Sequence, residues 1–204
     1  LSPNAAGCSP LPVTFTNAST PKNGESINEM SFSWTFGGLA ADTNRDQSRT
    51  FFNRAGVIDS LYTVRLIASS KWGCKDTLSN TVTVYPFPKA DFTASVISNC
   101  APFAIGSSVI GLNQYPIAND TYTWHILDKA QNILSTSSGT SIPSHTLNQP
   151  NDTVYYRLIT SNVHGCKPDT LIRMFRTIEN PKALFSLSDS VGCHPLTINL
   201  TSQS

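Results

Sequence analysis

Five cysteines, at positions 8, 74, 100, 166 and 193, and four histidines, at 125, 145, 164 and 194, are the side chains best suited to covalent or metal chemistry. A thiol can be a nucleophile, a metal ligand or half of a disulfide, and its surroundings decide which. There is no H-E-x-x-H or similar metal spacing among His125, His145, His164 and His194, and no serine lies in a G-x-S-x-G elbow. A histidine without a positioned partner is not a site, so all four are assigned to surface or turn positions. Cys193 and His194 are adjacent and suggest a thiol site, but the repeats described below make Cys193 the third copy of a structural position. No catalytic residue, cofactor or metal ligand is assigned, and the chain reads as no enzyme.

Calcium needs several oxygens at once. Asp42 and Asp46 in "LAADTNRD" are the nearest approach to an acidic cluster, and they read as a solvated loop. Trp72, ahead of Cys74, is either a sugar platform or a contact at a joint between domains. His164 takes its place in the second copy of that stretch.

The elements that must position these residues are strands. Runs such as "VTFTN", "SFSWTF", "YTVRLIA" and "TVTVY" alternate apolar with hydroxyl-bearing residues, with thirteen prolines and eleven glycines along the chain. No window of about 12 residues carries a helical stripe, so the chain is all-β. A net charge of +1 with 13% charged residues leaves no electrostatic footprint for nucleic acid or an anionic membrane. No apolar run approaches the roughly 20 residues of a membrane span, so membrane insertion is not expected. The start at Leu1 and the stop after "NLTSQS" read as a segment of something longer.

Self-comparison reveals repeats. "GCSPLPVTFTNAST" from Gly7 corresponds to "NCAPFAIGSSVIG" from Asn99 and "GCHPLTINLTSQS" from Gly192. "SFSWTF" corresponds to "TYTWHI", and "VRLIASSKWGCKDTL" to "YRLITSNVHGCKPDTL". Pro-flanked joints, "YPFPKADF" and "NPKALF", divide the chain into residues 1–86, with a truncated first strand, 87–179, and 180–204 as the opening strands of a third unit. About seven strands per unit is the count of an immunoglobulin-like sandwich. Phe32, Trp34 and Phe36 should face Tyr62, Val64, Leu66 and Ala68; Tyr122, Trp124 and Ile126 should face Val154, Tyr156 and Leu158. Both tryptophans are assigned to core packing rather than sugar stacking.

"FSWTFGG", "SRTFFNRAG" and "YTVRLIAS" together resemble the PKD domain pattern, W-D-F-G-D-G followed by an H-T-Y-like strand, a glycine turn and Y-T-V-x-L. The second unit departs from it, since "TWHILDKAQN" lacks the F-G-D-G turn, and "FGG" lacks the turn's aspartates. The paired "GC-x-P-L" and "GC-K-D-T" segments are similar to tandem PKD-like arrays in very large surface proteins of gliding bacteria, including motility adhesins exported by the type IX pathway. The resemblance implies tandem sandwiches arranged as an extracellular, cell-surface rod. The expected function is a semi-rigid spacer in an adhesin or filament that presents a distal binding region. Its partners would be neighbouring repeats, with other protein subunits or surface glycans beyond them. The alternative is a carbohydrate-binding or spacer module of a secreted glycosidase or protease.

The triplets Asp59-Ser60-Leu61, Asp76-Thr77-Leu78, Asp152-Thr153-Val154, Asp169-Thr170-Leu171 and Asp189-Ser190-Val191 resemble the O-glycosylation signal of exported proteins in that bacterial group. Ser60, Thr77, Thr153, Thr170 and Ser190 are therefore candidate glycan carriers. The N-x-S/T sequons at Asn17, Asn119, Asn151 and Asn199 carry less weight.

For the cysteines the simplest pairing lies within units, Cys8 with Cys74 and Cys100 with Cys166, each pair 66 residues apart. In an immunoglobulin-like sandwich, however, the turn between the first two strands and the last hairpin lie at opposite ends, roughly 23 Å apart for strands of about seven residues. A disulfide spans a Cα separation of only about 4.4 to 6.8 Å. Units stacked head to tail instead bring Cys8 to Cys166 of the next unit, which leaves Cys74, Cys100 and Cys193 to neighbouring repeats.

Overall fold

The computed structural model describes residues 5–54, 56, 58–114, 120–188 and 190–203. The first unit contains β1 (Ala5–Cys8), β2 (Leu11–Phe15), β3 (Ser31–Phe36), β4 (Leu39–Asp42), β5 (Gln47–Phe51), β6 (Ser60–Ser69) and β7 (Lys75–Tyr85). Strand alternation is visible directly in burial: Phe32, Trp34 and Phe36 of β3 and Tyr62, Val64 and Leu66 of β6 are buried, while residues between them are not. One sheet has the order β1-β7-β6-β3-β4, and the pair β2-β5 closes the other side. Phe15 and Phe51, from that pair, meet Trp34, Phe36, Tyr62, Val64, Val82 and Val84 in one core. Ala68 is only partly buried against it.

Among the described residues a single 3-10 turn, Ile27–Glu29, interrupts the strands. Its capping box joins the Ser26 backbone N–H to Glu29 Oε2 at 2.9 Å. A hydrogen bond from Lys71, with help from the Ser26 N–H, holds the Glu29 carboxyl below its ordinary pKa.

The second unit contains β8 (Phe92–Ala94), β9 (Ser98–Cys100), β10 (Phe103–Ile105), β11 (Ile110–Leu112), β12 (Asp120–Leu127), β13 (Ile133–Ser138), β14 (His145–Leu147), β15 (Thr153–Asn162) and β16 (Asp169–Ile178). Its large sheet runs β13-β12-β15-β16-β9, and two short pairs, β8-β11 and β10-β14, stand in for the second sheet. Trp124, Ile126, Val154, Tyr156 and Leu158 are fully buried, and Phe92 and Phe175 complete that core. Burial pushes the Tyr156 phenol upward in pKa, and its hydroxyl donates to the Pro143 carbonyl at 3.1 Å. The chain is thus all-β, with two immunoglobulin-like sandwiches in tandem. Beyond them β17 (Phe185–Leu187) pairs antiparallel with β18 (Leu200–Ser202).

In both sandwiches the first strand of the large sheet runs parallel to the last. β1 pairs with β7 so that Cys8 lies opposite Tyr85, and β9 pairs with β16 so that Cys100 lies opposite Ile178. Gly7 precedes Cys8 because the Leu11 side chain folds over it: a Cβ there would sit 2.7 Å from Leu11 Cδ1. Gly192 stands in the same relation to Leu196, at 2.5 Å.

Candidate functional site at the joint between units

The parallel register carries Cys8 to the end of the first sandwich from which the chain leaves. Cys74 lies eleven residues before Tyr85 along β7, so about 36 Å separates it from Cys8 at ~3.3 Å per residue. On the second sandwich, the β15–β16 turn holds Cys166 at the opposite end, facing the first. Gly165 supplies the left-handed conformation that turn needs, at φ 69°. A disulfide joins Cys8 to Cys166, with Cα atoms 5.5 Å apart. The within-unit alternatives, Cys8 with Cys74 and Cys100 with Cys166, are therefore corrected: Cys74, Cys100 and Cys193 are free thiols. Strand length is the reason.

Around the disulfide the two sandwiches share a set of polar and aromatic contacts. The His164 ring stacks on Tyr85, centroids 3.7 Å apart and planes 12° from parallel. Asn162, 8% exposed, accepts the Cys166 N–H through Oδ1 at 3.1 Å and donates through Nδ2 to the Pro86 carbonyl at 3.2 Å. Asp169 Oδ2 accepts the Ala90 N–H at 2.9 Å. Pro86, Pro88 and Ala90 of the linker are buried, whereas Phe87 and Lys89 are exposed. On the other side Asn53 braces the first sandwich: its N–H donates to Ser9 Oγ at 3.0 Å and its Nδ2 to the Val84 carbonyl at 2.8 Å. Residues 86–91 are thus tied to folded structure at both ends, and the joint is a built interface.

No family model matches this chain, and no curated protein matches it. Solved structures similar to it include the fibronectin(III)-like modules of Clostridium thermocellum CbhA, at 10% identity, covering 86% of this chain and 90% of that one with a TM-score of 0.33. The three N-terminal domains of the bacteriophage RB49 Highly Immunogenic Outer Capsid protein are similar at 12% identity, 86% and 66% coverage and a TM-score of 0.42. The Bacteroides ovatus protein SGBP-B, solved with a mixed-linkage heptasaccharide, is similar at 14% identity, 85% and 42% coverage and a TM-score of 0.32.

The remaining candidate residues are dispersed. Asp42 and Asp46 serve the loop that holds them: Asp42 Oδ1 accepts the Asn44 N–H at 2.9 Å, Asp42 Oδ2 pairs with Arg49 at 2.9 Å, and Asp46 Oδ1 accepts the Asn17 N–H at 2.7 Å. Among the described residues no group of three His, Cys, Asp or Glu could hold a metal ion. The Asn44 N–H, followed by Gln47 and Arg49, lowers the Asp42 pKa from 3.8 to about 2. A depressed carboxyl contributes stability above its unfolded value and loses it as pH falls through the folded value. The first sandwich should therefore weaken between about pH 4 and pH 2, and Asp42→Asn should flatten that segment of a plot of urea midpoint against pH.

His125 sits on β12 and its Nδ1 accepts from Arg157 Nε at 3.0 Å, while burial and the Arg157 charge lower its pKa. Of the glycan candidates, Thr77, Thr170 and Ser190 are exposed, and Ser60 and Thr153 are half-buried. Asp76, Asp152 and Asp169 each accept the N–H of the following threonine, at 2.8, 2.8 and 2.9 Å, which gives the Asp-Thr pairs a local backbone role. Asp189 and the Asn119 sequon lie outside the described residues. Asn17 is 3% exposed, out of reach of a transferase, whereas Asn151 and Asn199 are exposed. Trp72 stands in the open at 58% exposure, with the Lys71 ammonium 4.7 Å from its ring.

Proposed function

We propose that this chain is a non-catalytic structural segment of a long extracellular surface adhesin or filament, a semi-rigid spacer of PKD-like sandwiches that holds a distal binding region away from the cell. The observation that carries the reading is the joint, a short linker pinned by hydrogen bonds and locked by a disulfide between units. A catalytic domain's carrier has no need of a locked joint; a spacer does, because its reach depends on each joint resisting bending. Disulfides persist in oxidising surroundings outside the cell. Among the described residues no helix is long and apolar enough to cross a membrane. The PKD resemblance extends the proposal to type IX export on gliding bacteria, with neighbouring repeats as the immediate partners.

Small-angle scattering of the oxidised chain tests the spacer. A narrow, elongated distance distribution is expected; a broad one, with the two sandwiches sampling many angles, would remove the basis for the reading. Catalysis is not expected either, and turnover of an ester, glycoside or peptide substrate that vanished with one Cys or His replacement would contradict it. The second reading, a carbohydrate-binding accessory module, is favoured by exposed Trp72 beside a cavity of about 480 Å³. Saturable binding on a glycan array, lost in Trp72→Ala, would support it instead.

O-linked glycans on Thr77 and Thr170 belong to the same proposal. Both hydroxyls lie on exposed stretches of last strands, where a glycan would block pairing with another chain's edge. Peptide mass mapping of protein from the native host should find added hexose mass at these positions. Bare peptides at all five candidates would end the idea.

A further inference from the structure

The first sandwich carries, at its far end, the same fittings that the second uses to receive its neighbour. Ser70 Oγ accepts the Cys74 N–H at 3.2 Å, as Asn162 Oδ1 accepts the Cys166 N–H. Asp76 Oδ1 accepts the Thr77 N–H as Asp169 Oδ1 accepts that of Thr170, so Asp76 Oδ2 is the counterpart of the oxygen that takes the Ala90 N–H. Gly73, at φ 85°, shapes the turn as Gly165 does at φ 69°. Trp72 occupies the place of His164, which stacks on the preceding unit's Tyr85. Cys74 is exposed and free, whereas Cys166 is 3% exposed and bonded.

Beneath this turn lies the cavity of about 480 Å³, lined by Met30, Leu66, Ala68, Trp72, Cys74 and Leu78 among others. In the second sandwich the counterparts of Leu66 and Leu78 are Leu158 and Leu171, and there Ala90 and Phe92 of the incoming chain join the same core. The same lining also carries polar groups, Asn23, Glu25, Ser70 and Asp76 among them, and this mixture suits an entering strand of the Lys-Ala-x-Phe type, the pattern of both "PKADF" and "NPKALF".

The geometry points to a docking socket on the first sandwich for one occupant: another sandwich of this same kind, entering with a Pro-Lys-Ala-x-Phe linker and bonding to Cys74 through the cysteine of its Cys-x-Pro turn. The inference rests on the spacer reading and names that reading's partner at this surface. It assigns Trp72 to an aromatic contact across the joint rather than to a sugar. Bond formation removes two thiol hydrogens and two electrons, which the oxidising thiol–disulfide machinery of the export route accepts.

The test lengthens the chain and replaces Ala5 and Ala6 at the start of β1 with the equivalent Ser190 and Val191. Residues 87–191 are placed ahead of residues 7–204, so that the new junction replaces Gly192 by the equivalent Gly7. Non-reducing peptide mapping should then show the added copy's Cys100 bonded to Cys74. Acrylamide quenching supplies the second measurement, because Trp34 and Trp124 are fully buried and Trp72 alone is open. Quenching of Trp72 should fall at least threefold relative to the original chain. A reduced Cys74 with undiminished quenching would overturn the socket. So would protection of Trp72 in the original chain by an oligosaccharide, which would make the cavity a sugar site. Should the lengthened chain misfold, mapping of the protein isolated from its own cells decides: Cys74 joined to a Cys-x-Pro peptide supports the socket, and a free Cys74 refutes it. A free Cys74 beside an intact Cys8–Cys166 bond and an elongated scattering profile would sink this inference and leave the spacer reading standing.

Discussion

Replacing Cys166 with serine is expected to lower the urea midpoint of both sandwiches and to broaden the distance distribution of the chain. The bond closes a loop of 158 residues, and the chain-entropy relation gives about 5 kcal/mol at 25 °C for a loop of that length. That is as large as the whole stability of a marginal domain, about 5 to 15 kcal/mol. Among the contacts that remain at the joint are the Tyr85–His164 stack and the hydrogen bonds to Pro86 and Ala90 of the linker, each such bond worth about 1 kcal/mol. Cys8→Ser should reproduce the effect, and the double variant should add little to either single one, since both remove the same bond. Unchanged midpoints in both single variants would show that the joint draws no stability from its covalent link.

Trp34→Ala should unfold the first sandwich at ordinary temperature or bring it close to doing so. The side chain is fully buried, lies 5.8 Å from the Phe15 ring and 6.1 Å from that of Phe36, and donates through Nε1 to the Asn44 carbonyl at 3.0 Å. Removing an indole from such a place costs about 3 to 5 kcal/mol, with a further penalty for the carbonyl left unpaired. The second sandwich has its own core, so thermal unfolding should separate into two transitions, the upper one keeping the near-ultraviolet signal of Trp124. Trp72→Ala, on an open turn, should move the midpoint by less than about 0.5 kcal/mol. A single cooperative transition in Trp34→Ala would mean that the joint welds the two cores into one unit of unfolding.

The long strands were legible because their alternation is strong: a slip of one residue in β3 would turn Phe32, Trp34 and Phe36 to water. The facing layer of the second sandwich was less so. Its strands β8, β10, β11 and β14 are three residues each, too short for a period to show. The missing F-G-D-G turn is replaced by one built on Asp128, whose Oδ1 accepts the N–H groups of Ala130 and Asn132, a role that "LDKAQN" does not announce. At the joint the cysteines were visible through their spacing. Asn162 and Asp169 were not, because their partners Pro86 and Ala90 lie 76 and 79 residues away and contacts of that range leave no local signal. His164 was assigned to the surface for the same reason, although its exposed ring stacks on Tyr85. The repeat itself held the missing signal: a polar residue four positions before the turn cysteine and an aspartate just after it occur in both units.

The position of the disulfide also decides which residues carry load. Tension applied between the two ends of this chain runs from residue 8 through the sulfur bridge to residue 166, and leaves residues 9–165 outside the loaded path. The first core lies wholly within that shunted loop, whereas β16 of the second sandwich, with its fully buried Phe175, lies in the loaded path and must hold against β15 and β9. Only residues 1–8 and 166–204 can be drawn straight, to about 160 Å at ~3.4 Å per residue, against about 700 Å for the same chain with the bridge reduced. The redox state of one bond thus sets the length at which the chain becomes taut, and the covalent stop confines any unfolding under load to β1, β16 and the strands after them.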